Sequence, residues 1–392
     1  MTRSSDIVVI GGGVMGVSIA CHLARRRAGR VTLLEKSHVG AGSSGKSGAI
    51  VRQHYSNRLT ATLAQRSLRV FERFDEIFGG PPVFTRTGMV VVVPQKDRAG
   101  LDLNLAMLHE LGISSHLVSA AELLELDPHV RLAEDEIAAW EPDAGYVESV
   151  QVVASFAEAA RREGAEICEG VEVKSLVFEG PRFTGVVTNE GRLTAGCAIL
   201  ATGPWAAQLA KSAGVDLPVQ ACRTQVALFR RPPELGRRCA TYADFSQGIY
   251  FKPTHGDMVH VGSIAGEELH SPVDPDAYDE SADGDWLPLM RQRLSRRYPG
   301  MHRGYGRGGY GALYAITPDW HPILDRLPGC EGVYVAAGFS GHGFKMSPMI
   351  GQLMSELVID GQAASLDITP LRLARFAEND PVKIAYSYGV IG

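Results

Sequence analysis

The 392-residue chain has little cysteine, no long apolar run and no excess of basic residues. Its six cysteines, Cys21, Cys168, Cys197, Cys222, Cys239 and Cys330, form no CxxC pair and show no metal-ligand spacing. They are too few to staple a chain of this size, so they are expected to be reduced and no metal site is expected. The first apolar run, Ile7 to Ile10, gives way at once to glycine. It is too short for a signal sequence or a membrane span, and a cytoplasmic location is the default expectation. With 39 basic against 44 acidic residues the formal charge is -5, which excludes a general basic field for nucleic acid or anionic lipid. There is no internal repeat and no low-complexity tract. What remains, 45% hydrophobic and 21% charged, is the composition of a globular protein. Single cores stop growing beyond roughly 250–300 residues, so two domains are expected.

The chain opens on a short β-branched strand, Asp6 to Ile10, followed by a glycine turn. Val17, Ala20, Cys21 and Ala24 then recur at helical spacing up to Gly29, and Val31 to Leu34 forms a second strand, completing a βαβ start. Asn57 caps a helix through Leu63, Leu68, Phe71 and Phe74 to Gly79-Gly80, where Pro81-Pro82 marks a crossing into a second unit. Gly88 to Pro94 is a sheet strand of that unit. A helix from Ser149 to Arg162, strand Val171 to Val173, a hairpin about Asn189-Glu190-Gly191 and strand Ala198 to Ala201 return to the first. Residues 221–310 alternate short strands, including Gln225 to Phe229 and Gly248 to Phe251, with turns and one polar helix after Asp283. A glycine-rich loop, Gly338 to Gly343, leads into a last helix, Ser347 to Ile359. The expected fold is α/β (α+β), with 1–80, 146–220 and 311–392 forming one unit and 81–145 and 221–310 a second, built on a mixed antiparallel sheet.

Gly11-Gly12-Gly13-Val14-Met15-Gly16 satisfies G-x-G-x-x-G directly after a strand and at a helix start, and Glu35 closes the second strand. In that context Gly11 makes the tight turn, Gly13 admits a pyrophosphate to the backbone, and Gly16 lets helix and strand pack closely. The helix N-terminus favours the phosphate charge, and Glu35 accepts from a ribose hydroxyl, which disfavours NADP. The turn alone does not separate FAD from NAD.

Further motifs follow in order: Gly40-Ala41-Gly42-Ser43-Ser44 with Ile50-Val51-Arg52, then Ala201-Thr202-Gly203-Pro204-Trp205, then Thr317-Pro318-Asp319 leading to Gly338-Phe339-Ser340-Gly341-His342-Gly343-Phe344-Lys345. With these the chain resembles the D-amino-acid oxidase superfamily of FAD enzymes, in its sarcosine oxidase and glycine oxidase-like branch. The resemblance implies a Rossmann-like FAD-binding domain interleaved with a substrate domain whose sheet roofs the flavin. It places Val14, Met15, Lys36, Gly42, Ser43 and Ser44 along the cofactor, Val173 at the adenine through its backbone, and Gly203 and Trp205 beside them. Gly338, Gly341, His342, Gly343, Phe344 and Lys345 would approach the flavin ring.

Arg52 and Lys345 match the two basic positions with which sarcosine oxidase-like enzymes hold the substrate carboxylate, the pairing that an anionic group needs in an apolar pocket. Tyr314 matches a tyrosine that closes the pocket. Tyr250 and Phe251 alternate in a strand, so only one faces the site, and Tyr250 is taken as that one. His342 would bond or tune the flavin. His260 stands where the monomeric sarcosine oxidases have an oxygen-activating lysine, so a protonated imidazole would have to supply the charge. Ala312 replaces the cysteine tether of those enzymes, and Lys46 lies near the position of the histidine tether found in dimethylglycine dehydrogenase-like members, so FAD is expected to be dissociable. Ala49 replaces an additional arginine.

The activity implied is hydride transfer from the C–N bond of an amino acid with a free carboxylate, most simply an N-alkyl amino acid such as sarcosine, to flavin N5. An imine forms and is then hydrolysed. Alternatives are a primary-amine glycine or D-amino acid oxidase, a dehydrogenase subunit passing electrons to a quinone or protein acceptor or partner subunit, and, from a different class, a non-catalytic flavoprotein binding module.

Overall fold

Ile7–Ile10, Val31–Glu35 and Cys197–Leu200 are apolar on both faces, as strands covered on both sides must be. In the computed structural model, which describes residues 3–236, 239–269 and 271–384, they are parallel neighbours in a six-stranded sheet. Its order is Glu166–Glu169, Val31–Glu35, Ile7–Ile10, Cys197–Leu200, Val333–Ala337 and Ile323–Arg326, and only the last pair is antiparallel. Alternate residues serve opposite faces. Ile7 and Val9 pack into the core under helices Val14–Arg25, Arg58–Phe71, Ser149–Arg162 and Ser347–Ile359, while Val8 and Ile10 pack with Leu176, Phe183 and Val186 of a small four-stranded sheet. Helices Val14–Arg25 and Ser347–Ile359 cross so closely that a Cβ on Gly351 would stand 2.2 Å from Ser18 Oγ, which instead donates to Ser347 O at 2.7 Å.

The second large sheet has eight strands, in the order Tyr305–Ile316, Gln220–Arg230, Met258–Ser263, Ile249–Thr254, Thr241–Asp244, Met89–Pro94, Glu136–Glu141 and His116–Val118. All pairings are antiparallel except Thr241–Asp244 with Met89–Pro94. Val90 and Val92 join the core under helix Trp286–Arg297, while Met89, Val91 and Val93 face the other way with Ala243, Ile264 and Tyr250. Both faces of this strand are covered, which explains its unbroken valine run. Strand Tyr305–Ile316 runs past the proposed unit boundary at 311 and stays in this sheet throughout.

The helix expected from Asn57 to Gly79 is two helices. Asn57 caps the first, its side chain accepting from Thr60 N at 2.8 Å, but that helix stops at Phe71, and a second covers Phe74–Phe78. The break lets Phe71, Phe74, Phe78 and Phe156 form one aromatic cluster with ring centroids 4.6–5.7 Å apart. Helices Ser149–Arg162 and Ser347–Ile359 have the expected ends. The strand expected at Val171 begins at Val173.

Helix Trp286–Arg297 is fastened to the sheet through one guanidinium. Arg297 Nε donates to Asp244 Oδ2 at 2.7 Å, and its two terminal nitrogens donate to Glu136 at 2.7 and 2.8 Å. All three side chains are buried. Replacing Arg297 with Met strands two carboxylates in the interior, and urea denaturation should show a loss of about 3–5 kcal/mol. A loss below about 1 kcal/mol would show that the three-way pair does not hold the helix.

Candidate functional site

The turn after the first strand is shaped by what cannot fit there. Gly11 has φ 106°, and a Cβ on it would stand 2.5 Å from Ala201 O; a Cβ on Gly16 would stand 1.8 Å from Gly11 O. Helix Val14–Arg25 starts with no acid in its first turn and no side-chain bond from its N-cap residue, Gly13. One early N–H is met from outside, Val14 N donating to Ser44 Oγ at 2.9 Å. The other end of the βαβ unit is equally fixed, since Glu35 accepts from Gly12 N at 2.6 Å and Ser37 N at 2.8 Å. Its carboxylate is therefore oriented beside the turn by the backbone.

From this turn a cavity of about 680 Å³ runs to the face of the eight-stranded sheet. Gly11, Gly13, Val14, Met15, Glu35, Lys36, Gly42, Ser43, Ser44, Val173, Gly203 and Trp205 line its first part. Ser43 Oγ and Thr202 Oγ1 are buried on its wall without a protein partner. Buried hydroxyls are normally bonded, so these two fit a polar ligand, as do the open helix N-terminus and the fixed acid. The residues present suit FAD. None of the six cysteines lines the cavity, and Ala312 and Lys46, which stand at or near the positions of the cysteine and histidine tethers, both do. Lys36 Nζ lies 3.8 Å over the Trp205 ring, and both residues bond Asp276 Oδ1, at 2.8 and 2.7 Å, which fastens the 274–280 segment across this end.

Arg52, Tyr250, Tyr314, Gly341, Gly343, Phe344 and Lys345 line the remainder. Arg52 Cζ lies 4.0 Å over the Tyr55 ring and Lys345 Nζ 5.6 Å from its centroid, with both cations buried. Burial, and then the neighbouring Arg52, holds the Lys345 ammonium well below its usual range. An anion bound beside these two buried basic groups would be stabilised and would draw the Lys345 proton back. Tyr250 lines the cavity, whereas Phe251 stacks on Tyr242 at 4.4 Å on the opposite face of the sheet. Gly341, at φ 81°, has to be glycine, because a Cβ would fall 2.5 Å from the Tyr314 ring. Ala49 and Ser340, which also line the cavity, are held at φ 47° and 48°, strain of the kind that collects at functional sites.

Four expected residues stand elsewhere. Gly16 and Gly338 lie outside the cavity and serve close packing; a Cβ on Gly338 would stand 2.3 Å from Thr317 Cγ2. His342 does not tune the cavity directly. It is fully buried behind it, with Nε2 bonded to Trp320 O at 2.7 Å, and burial followed by Lys345 keeps it neutral. His260 sits behind Gly48, with Nε2 3.4 Å from Tyr250 Oη. Burial and then Lys252 push its pKa down to about 3, so it does not supply the expected positive charge. Residues not anticipated are Tyr55, which carries both cations, Glu141 behind them, Asp276 at the cofactor end, and the apolar wall of Ile50, Met89, Ala243, Phe245 and Ile264. Tyr55 lies only three residues after Arg52, and its nearness was the one available signal.

The family model described as FAD dependent oxidoreductase matches residues 6–357. The chain is 27% identical to N-methyl-L-tryptophan oxidase of Salmonella dublin, covering 95% of this chain and 99% of that one. It is 26% identical to monomeric sarcosine oxidase of a Bacillus species, covering 92% and 94%. L-proline dehydrogenase from P. horikoshii superposes with a TM-score of 0.89 at 27% identity, covering 97% and 100%. No helix among the described residues is long and apolar enough to cross a membrane.

Replacing Glu35 with Ala removes the acceptor beside the turn. It should weaken FAD binding at least about tenfold in a flavin-fluorescence titration. An unchanged Kd would remove Glu35 from the cofactor site.

Proposed function

The chain belongs to the DAO family of FAD dependent oxidoreductases and is an FAD-dependent enzyme acting on amino acid C–N bonds, and on that premise we propose that its substrate is a secondary amino acid held by its carboxylate. The observation that carries this reading is the pair Arg52 and Lys345, buried together at one end of the cavity that begins at the Gly11–Gly16 turn. Bound FAD supplies the hydride acceptor. Arg52 offers a planar fork and Lys345 a point charge, a combination that binds a carboxylate and fixes the carbon next to it. Tyr314 and Tyr250 narrow the chamber, and Ile50, Met89, Ala243, Phe245 and Ile264 give it an apolar wall that takes an uncharged N-substituent or side chain and excludes water. A neutral amine so oriented loses hydride from the carbon bonded to nitrogen, its lone pair forms the C=N bond of an iminium ion, and water then cleaves that ion to a carbonyl compound and the protonated amine. A secondary amine is favoured because the substrates named in three relatives, N-methyl-L-tryptophan, sarcosine and L-proline, are all secondary amines.

One observation favours a second reading of the electron acceptor. His260 is neutral, so the charge expected there to assist oxygen is missing, and transfer to a quinone or protein acceptor, with the enzyme working as a dehydrogenase, is the alternative. Stopped-flow mixing of the FAD-loaded enzyme with sarcosine, N-methyl-L-tryptophan, L-proline and glycine, followed by oxygen, separates these readings. Secondary amines should bleach the flavin fastest. Fast reoxidation by oxygen identifies an oxidase and slow reoxidation a dehydrogenase, while faster bleaching by glycine would overturn the secondary-amine assignment.

Changing Lys345 to Met should lower kcat/KM for the best of these amino acids at least about tenfold with FAD content unchanged. An unaltered kcat/KM would take Lys345 out of carboxylate binding.

A further inference from the structure

Glu141 ends a strand of the eight-stranded sheet and has no solvent exposure, yet its carboxylate reaches out of that sheet. Oε1 accepts from Gln53 N at 2.7 Å and from Gln53 Nε2 at 3.2 Å, and Oε2 accepts from His54 N at 3.0 Å. These are the two residues that follow Arg52. His54 is itself braced from below, its Nε2 2.8 Å from Asn104 Nδ2 of helix Arg98–Glu110. The segment carrying Arg52 is thus gripped at consecutive peptides by one side chain from the other sheet.

A neutral acceptor would satisfy the same N–H groups without the several kcal/mol that burying an ion costs. Burial does push the Glu141 carboxyl up, to about 7, while the Gln53 bonds, Arg52 and the His54 N–H draw it back. An acid at this position has a local reason. Arg52 and Lys345 are both basic, both buried and both against Tyr55, and an ionised Glu141 acts on each of them in the stabilising sense. We propose that Glu141 is a positioning residue for carboxylate recognition, locking the backbone after Arg52 so that the guanidinium stays on Tyr55 and supplying the counter-charge that lets Lys345 remain beside it. This rests on Arg52 and Lys345 being the carboxylate anchors. Glu141 touches neither substrate nor cofactor and acts only through that pair.

The test is the affinity of the FAD-loaded enzyme for acetate, read as a perturbation of the flavin spectrum, in Glu141→Gln, Lys345→Met and the double variant. Each single change should raise the acetate Kd at least about tenfold with FAD content unchanged. The double variant should lose clearly less than the product of the two single losses, because the part of the Glu141 effect that runs through Lys345 is already gone. If Lys345→Met weakens acetate and Glu141→Gln does not, or if the two losses multiply, Glu141 does not act through the anchors and the proposal is overturned, while the carboxylate reading stands. If neither change moves the Kd, the carboxylate reading itself fails. Should Glu141→Gln give no folded holoprotein, Glu141→Asp keeps the charge but withdraws it by one methylene. It should weaken acetate at least about threefold, and an unchanged Kd would equally overturn the proposal.

Discussion

Arg52 and Lys345 lie buried against the ring of Tyr55 at one end of a cavity, and much of the surrounding structure answers the problem that two like charges create there. Taking a cation out of water costs several kcal/mol, and placing a second beside it adds repulsion that a dry interior hardly screens. Three devices offset this. The Tyr55 ring presents its negative face to both cations. The backbone carbonyl of His342 accepts from Lys345 Nζ at 3.3 Å, and Arg52 donates to the carbonyl of His54. Glu141 supplies the opposite charge from behind. These devices make the pair tolerable, and the proposed substrate carboxylate would stabilise it further.

The two large sheets meet over this problem. The six-stranded sheet provides the glycine turn and, through loops that follow its strands, the side chains Ser43, Ser44 and Lys345, while Arg52 follows Ile50–Val51 of a small three-stranded sheet. The eight-stranded sheet and the residues that directly follow its strands contribute Tyr250, Tyr314 and all of the apolar wall except Ile50. Polar clamps hold the two together at the cavity's edges. Asp276 bonds Lys36 and Trp205, Lys46 bonds Tyr278 Oη and Glu280 at 2.9 Å each, and Tyr310 Oη donates to Lys46 O at 2.9 Å. Each clamp is partly exposed and individually weak. The cavity shape therefore depends on several of them acting at once, together with the buried contact of Glu141 to Gln53 and His54.

Much of this was legible in the amino-acid order because local rules and tertiary demands agree. The strand, turn, helix and terminal acid from Ile7 to Glu35 follow from backbone sterics and helix-terminus electrostatics, and the structure places Gly11, Gly13 and Glu35 on one wall. Helix Ser149–Arg162 was bounded by its own apolar period, and the end of helix Arg58–Phe71 was not, because the packing of Phe71 on Phe74 and of Phe74 on Phe156 overrides a continuous pattern. The roles expected of His342 and His260 required knowing what lies behind a loop. Both rings lie buried behind the cavity wall in dry surroundings that hold them neutral, and no spacing rule reports that. Glu141 was silent for a related reason. It is a single acid at the end of a strand, and its partners, about ninety residues away in the chain, are backbone N–H groups that carry no residue-type signal.

The central claim is that this enzyme selects its substrate by a carboxylate set against Arg52 and Lys345. The most direct measurement is the anaerobic rate of flavin bleaching by sarcosine compared with that by sarcosine methyl ester, whose amine and reacting carbon are retained while the anion is removed. The account predicts that the acid reduces the flavin at least about a hundredfold faster at equal subsaturating concentration, the scale of losing a charge-assisted bidentate contact. Equal rates for acid and ester would contradict it.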